Sequence, residues 1–134
     1  MSEELDRFAF GDSAEMADAL LALVLAGTKT ATCGALTDYQ DKGAQLPKPG
    51  QRSVVLNGKG EPGCIIETID VRCCRFDAVD QDFARGEGEG DLSLSAWRKN
   101  HESFFRRNGG FSPDMMLVCR KFRLVERLDG GARP

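Results

Sequence analysis

Apolar positions recur at helical spacing in two stretches of this chain and at strand spacing in several others, and the breaks between them outline its elements. Met16, Leu20, Leu23 and Val24 form one helical stripe. Asp12 with Glu15 three residues on makes a capping-box-like start, and Gly27 suits the left-handed turn that ends a helix, so a helix is predicted over residues 13–26. Pro47, Pro49 and Gly50 then mark a turn, and residues 53–56 read as a short strand. Asn57-Gly58 opens a loop that returns as a second strand over residues 64–71, a hairpin signal. A weaker strand over 73–76 and a short helix over 79–84 lead into Gly86-Glu87-Gly88-Glu89-Gly90-Asp91. Leu94, Trp97, His101, Phe104 and Phe105 share one face of a second amphipathic helix ending near Asn108, and residues 115–126 form a long, bent strand. Hairpin-linked strands with helices between them predict an α+β fold whose mostly antiparallel sheet curls into a small barrel with helices packed around it. No segment repeats.

Length and charge narrow the picture. With 134 residues and 41% hydrophobic content, the chain buries one core, so a single domain is expected over 1–134, with its core at about 8–126 and tails at 1–7 and 130–134. A net charge of −3 excludes a general nucleic-acid coat, which needs a strongly positive face. Local basic clusters remain, at Arg98, Lys99, Arg106 and Arg107 and again at Arg120, Lys121, Arg123 and Arg127. Five cysteines, odd in number and without C-x-x-C spacing, fit a reduced, cytoplasmic protein. The amino terminus shows no basic-then-apolar leader, and the longest apolar stretch, residues 19–26, is too short to cross a bilayer.

Chemistry concentrates after the first helix. Lys29 and Thr32, in Gly27-Thr28-Lys29-Thr30-Ala31-Thr32, can satisfy each other if the backbone between them is irregular, because residues three apart in a flat strand face opposite ways. The competing reading is a strand in which the threonines serve propensity and Lys29 is solvated. A lysine becomes a base only if its pKa falls; otherwise it is a fixed positive charge. Glu87, Glu89 and Asp91 form a second constellation, suited to acid–base work or to a hard cation such as Mg²⁺ or Mn²⁺. Asp91 or Ser93 is expected to cap the following helix, which leaves Glu87 and Glu89; an extended backbone would put both on one side. His101, the sole histidine, removes any multi-histidine metal site and reads as a packed pocket-wall residue. Trp97 and Tyr39 are ordinary core and loop residues or stacking surfaces for a base. The Gly58-to-Gly63 match to a dinucleotide-binding pattern precedes a strand instead of opening a helix and is dismissed.

Phe8-Ala9-Phe10-Gly11-Asp12, the Gly27-to-Thr32 segment, the run from Phe83 to Leu94, and Trp97-Arg98 followed by His101 and Phe104-Phe105 together resemble a bacterial branch of the ASCH-domain family. The resemblance implies a PUA-like barrel with a cleft for single-stranded RNA or a modified nucleoside, and Gly27, Thr28, Thr30, Tyr39, Trp97, Arg98 and His101 near the substrate. Small members similar to this chain include acetylcytidine amidohydrolases, which use a lysine, a threonine three residues on and a distant glutamate. Lys29 and Thr32 match that spacing, and the glutamate maps to Glu87 with Glu89 as rival. The implied function is hydrolysis of an amide on a modified nucleobase without a cofactor. The alternatives are a ribonuclease with its metal at Glu87, Glu89 and Asp91, and an RNA-binding module without turnover.

Overall fold

A computed structural model describes residues 5–41, 43, 45–89 and 91–128. Gly90 and most of the two expected tails therefore lie outside the described residues. Five strands, β1 (Asp6–Phe8), β2 (Ala31–Ala35), β3 (Arg52–Leu56), β4 (Pro62–Arg75) and β5 (Met116–Arg127), form one sheet in the order β1-β3-β4-β5-β2. Only β1 and β3 run parallel; the other neighbours are antiparallel. The sheet curls into a half-barrel, and the helices α1 (Ala14–Leu25), α2 (Leu36–Asp41), α3 (Gln81–Glu87) and α4 (Leu94–Arg107) pack around it. This is the expected α+β, mostly antiparallel architecture.

Several local expectations change. Ser13, not Asp12, caps α1: its hydroxyl accepts from the Met16 N–H at 3.1 Å, while Asp12 pairs with Arg107 and Asn108 at the carboxyl end of α4. The two strands expected at 64–71 and 73–76 are one strand, β4, because β5 pairs with it along nearly its whole length and absorbs shifts in register at two bulges. The short helix lies later than expected, at α3, preceded by a 3-10 turn at Phe76–Ala78; Asp80 caps it by accepting from the Phe83 N–H at 2.9 Å. Asp6 and Arg7, expected as tail, form the edge strand β1 together with Phe8, and the loop around Tyr39 is the short helix α2.

The two faces of the sheet carry separate cores. Ala31, Ala35, Leu117 and Cys119 pack with Phe76, Trp97 and Phe105 beneath α3 and α4. Val55, Cys64, Ile66 and Phe122 pack with Phe10, Leu21 and Val24 of the α1 side. Each large apolar side chain so buried contributes about 1.5–3 kcal/mol relative to exposure. The α1 stripe splits between two tasks. Ala17, Leu21 and Val24 are buried, whereas Met16, Leu20 and Leu23 line a cavity at the seam between the cores.

Candidate active site

The segment joining α1 to β2 sets the geometry. Gly27 takes the left-handed conformation (φ +81°), and the amides of Thr28 and Lys29 both return to the Leu23 carbonyl at 2.9 and 3.1 Å. The Thr30 amide donates to Gly86 O at 2.7 Å and its carbonyl accepts from Phe122 N at 3.0 Å, so the segment is tied to α3 and β5 at once. The backbone is irregular through Thr30 and becomes strand only at Ala31. This turn drives Lys29 inward until it is 2% exposed.

The ammonium meets a converging set of acceptors. Lys29 Nζ donates to Glu87 Oε1 (2.8 Å), Glu89 Oε2 (3.1 Å), Ala31 O (3.0 Å) and Glu87 O (3.2 Å), and lies 5.2 Å from the centre of the Phe10 ring. Glu87, the last residue of α3, is 1% exposed. Its second oxygen, Oε2, accepts from Trp97 Nε1 at 3.2 Å and faces His101 Nε2 at 3.4 Å. His101 Nδ1 lies 2.9 Å from the Trp97 carbonyl, and its ring stacks on the Trp97 indole with centroids 4.3 Å apart. With Nδ1–H directed at that carbonyl, Nε2 carries hydrogen toward Glu87 Oε2 only in the imidazolium, the form that this carboxylate favours. With His101 protonated, two cations, Lys29 and His101, balance two carboxylates, Glu87 and Glu89.

Burial opposes each of these charges, and their pairing overrides it. Burial pulls the Lys29 pKa down, but the charges of Glu87 and Glu89 hold it above the ordinary lysine value. Burial likewise raises the Glu87 pKa, yet Lys29 and His101 bring it down to about 2. His101 is raised by its contact with Glu87 despite burial. Cys33 moves well up, first through burial and then through the charge of Glu87, and stays a thiol at neutral pH.

Lys29, Thr32, Glu87, Glu89 and His101 all line one cavity of about 430 Å³, closed on its apolar side by Met16 and Phe104. A second cavity of about 420 Å³ adjoins it, sharing Phe10, Gly11, Thr32, Cys33 and Phe104. Tyr39 lines the second cavity, and Trp97 lies behind the first as a buried donor. Gly27, Thr28 and Thr30 are exposed and do not line the cavity; their contacts shape the turn that buries Lys29. Arg98 is exposed outside it. Asp91 is also exposed, and its Oδ1 accepts from the Ser93 N–H at 2.9 Å, while Ser93 caps α4. Glu87, Glu89 and Asp91 therefore do not converge as a trio. Among the described residues, the side chains with metal-ligand spacing are Cys33, Glu87 and His101, whose ligand atoms lie within 4.8 Å of one another.

The pairing of Glu87 with Glu89 arises differently from the extended backbone expected. Gly88 ends α3 in the left-handed conformation (φ +75°), and this reversal brings both carboxylates onto Lys29. A Cβ at Gly88 would sit 2.6 Å from Thr28 O and 2.9 Å from Lys29 Cα. The glycine serves close approach of two backbones. Sequence reasoning passed over Cys33, Phe10 and Arg120 as site residues. Only the Phe8-to-Asp12 motif hinted at Phe10, and Arg120 was hidden in a charge-rich stretch.

Residues 6–126 match the ASCH domain model. The chain belongs to the ASCH-domain family, and its half-barrel is the α+β, PUA-like fold of that family. It is similar to the crystal structure of an ASCH domain from Lactobacillus crispatus JV V101, with 37% identity and a TM-score of 0.86 over 92% of this chain and 80% of that one. A crystal structure of a protein from Enterococcus faecalis V583 is similar at 39% identity and a TM-score of 0.84, over 91% of this chain and 77% of that one. No curated protein matches the chain. Among the described residues no helix is long and apolar enough to cross a membrane.

Proposed function

We propose that this protein hydrolyses an amide on a modified nucleobase. The observation that carries the reading is the buried Lys29 ammonium, 2.8 and 3.1 Å from two carboxylates, in the wall of the cavity that Thr32 also lines. The cavity has the size of small-molecule sites, which span about 300–1,000 Å³. Its aromatic walls, Phe10, Phe104 and His101, suit a flat base.

Lys29 is held protonated, so its role is electrostatic: by exchanging a backbone carbonyl, Ala31 O or Glu87 O, for the acyl oxygen, the ammonium stabilises the negative charge that forms there. Thr32 orients the attacking water at the acyl carbon. Glu87 is buried and saturated by Lys29, Trp97 and His101, which suits it to holding the two cations in place. Glu89, with its side chain 22% exposed, takes the proton of the attacking water and returns it to the leaving nitrogen as the C–N bond breaks. The products are a carboxylic acid and the free exocyclic amine.

Incubating the protein with N-acylated nucleosides and following the mass loss of the acyl group tests this. Lys29→Met and Glu89→Gln are expected to lower turnover by 10²-fold or more, the order seen when an oxyanion donor or a general base is removed. Full activity in Lys29→Met, or no hydrolysis of any acylated base by the parent, would sink the reading. A second reading, a metal-dependent ribonuclease, is favoured by the spacing of Cys33, Glu87 and His101. It requires a cation to displace Lys29 or His101 from Glu87, and loss of activity in chelator identifies it.

A further inference from the structure

We propose that Arg120 makes the second cavity a subsite for one phosphate group, so that the molecule reacting at Lys29 is a nucleotide, free or within a short strand, and not a neutral nucleoside. The inference takes its reaction from the hydrolase reading but its binding from observations outside that site. Arg120 lies in β5 and is only 7% exposed, yet it lines the second cavity. Its Nε donates to Thr68 Oγ1 and its Nη2 to Ser53 Oγ, each at 2.9 Å. Both partners are neutral hydroxyls. Among the described residues no carboxylate lies within ion-pair distance of this guanidinium.

Asp6 is the negative group connected to it, at one remove: the Ser53 hydroxyl donates to Asp6 Oδ1 at 2.8 Å, a carboxylate that also accepts from Gln51 Nε2 at 3.1 Å. A guanidinium has five N–H donors in a fork that fits phosphate oxygens, and these two bonds leave donors for a ligand. The Phe8 ring covers one side of it, 5.3 Å from its central carbon. Burial pulls the Arg120 pKa down, as befits a buried cation without a direct counter-charge.

Register ties this cation to the reaction. Thr32 of β2 stands directly opposite Arg120 of β5, and opposite residues in an antiparallel pair project on the same face with Cβ atoms about 4.5–5.5 Å apart. The two cavities meet at Thr32, so a base held beside Lys29 can extend its sugar and phosphate toward Arg120. Asp6 and Asp38 also line the second cavity. Their charges disfavour further anionic groups, which selects a single phosphate over a polyphosphate.

Titration calorimetry on the full chain tests the subsite with an N-acylated nucleoside, its 5′-monophosphate, its 5′-triphosphate and inorganic phosphate. The monophosphate is expected to bind at least about tenfold more tightly than the nucleoside, a difference of about 1.4 kcal/mol. The triphosphate should do no better, phosphate alone should displace that advantage, and Arg120→Gln should remove it while nucleoside binding stays. A dinucleotide that binds like the monophosphate assigns the group to a strand; one that is excluded assigns it to a free nucleotide. If Arg120→Gln fails to fold, the ¹⁵N resonance of the Arg120 side chain in the parent must shift on phosphate addition. Equal affinity for nucleoside and monophosphate, or an unmoved resonance, overturns the proposal and leaves Arg120 as a cross-link of β3, β4 and β5. Retained monophosphate preference with no hydrolysis of either compound supports the subsite and sinks the hydrolase reading alone.

Discussion

Lys29 and His101 both pair with Glu87, and the direction of each shift fixes how stability depends on pH. Glu87 is held to about 2, below its ordinary 4.5, so its contribution is present above pH 4.5 and is lost as pH falls from there toward 2. His101 is raised above 6.5, so its contribution is complete below pH 6.5 and is lost as pH rises through the folded value. Together they place the greatest support for the fold between pH 4.5 and 6.5, with the acid loss on the order of 3 kcal/mol. Thermal melts across pH should show that window, and Glu87→Gln should flatten the acid limb. The same variant removes the negative charge but keeps the burial, so the His101 pKa should fall below its value in the parent. The sole histidine gives a single imidazole Hε1 signal for that titration, and an unchanged His101 pKa in Glu87→Gln would remove Glu87 as the cause.

At the scale of elements, the turn at Gly88 and the turn at Gly27 act as a pair, one aiming two carboxylates and the other aiming the amine. Gly88→Ala forces a non-glycine residue to φ +75° and presses its Cβ onto the backbone of Thr28 and Lys29, atoms that cannot swing aside. The expected cost is about 1–3 kcal/mol, read as a lower midpoint in denaturant, together with a weaker hold on Lys29 that shows as a lowered NMR pKa of its Nζ. An alanine tolerated without loss of stability would mean the two turns are not packed as described. These elements also show how far sequence reaches. The α1 and α4 stripes and the β3–β4 hairpin were legible because their periodicity and turn residues are local. The meeting of Lys29 with Glu87 was not legible from periodicity, since it joins residues 58 apart through a tertiary contact; it was anticipated only by the resemblance to a family. The merging of β4 into one long strand was hidden because bulges break the alternation that marks a strand. Helix α2, at six residues with none buried, leaves no apolar period to read.

Across the whole molecule, the charge pattern argues against broad adhesion to a phosphate backbone. The net charge is −3, and many surface arginines are already paired: Arg52 and Arg123 with Glu67, Arg75 with Asp77, Arg85 with Asp82, Arg106 with Glu102 and Arg107 with Asp12. Such exposed pairs contribute little to stability, about 0–1 kcal/mol each, but they neutralise Arg106, Arg107 and Arg123 within the cationic clusters seen in the sequence. An RNA-coating protein neutralises several phosphates and loses affinity steeply with salt, with a slope of about −0.7 per phosphate on a single strand. One engaged phosphate at Arg120 gives a slope of only about −0.7 in total. Fluorescence anisotropy of a labelled short single-stranded RNA carrying the acylated base, measured from low to moderate salt, reads that slope directly. A value of about −3 or steeper would show a basic face engaging many phosphates, and would favour the binding-module reading over a pocket that recognises one nucleotide.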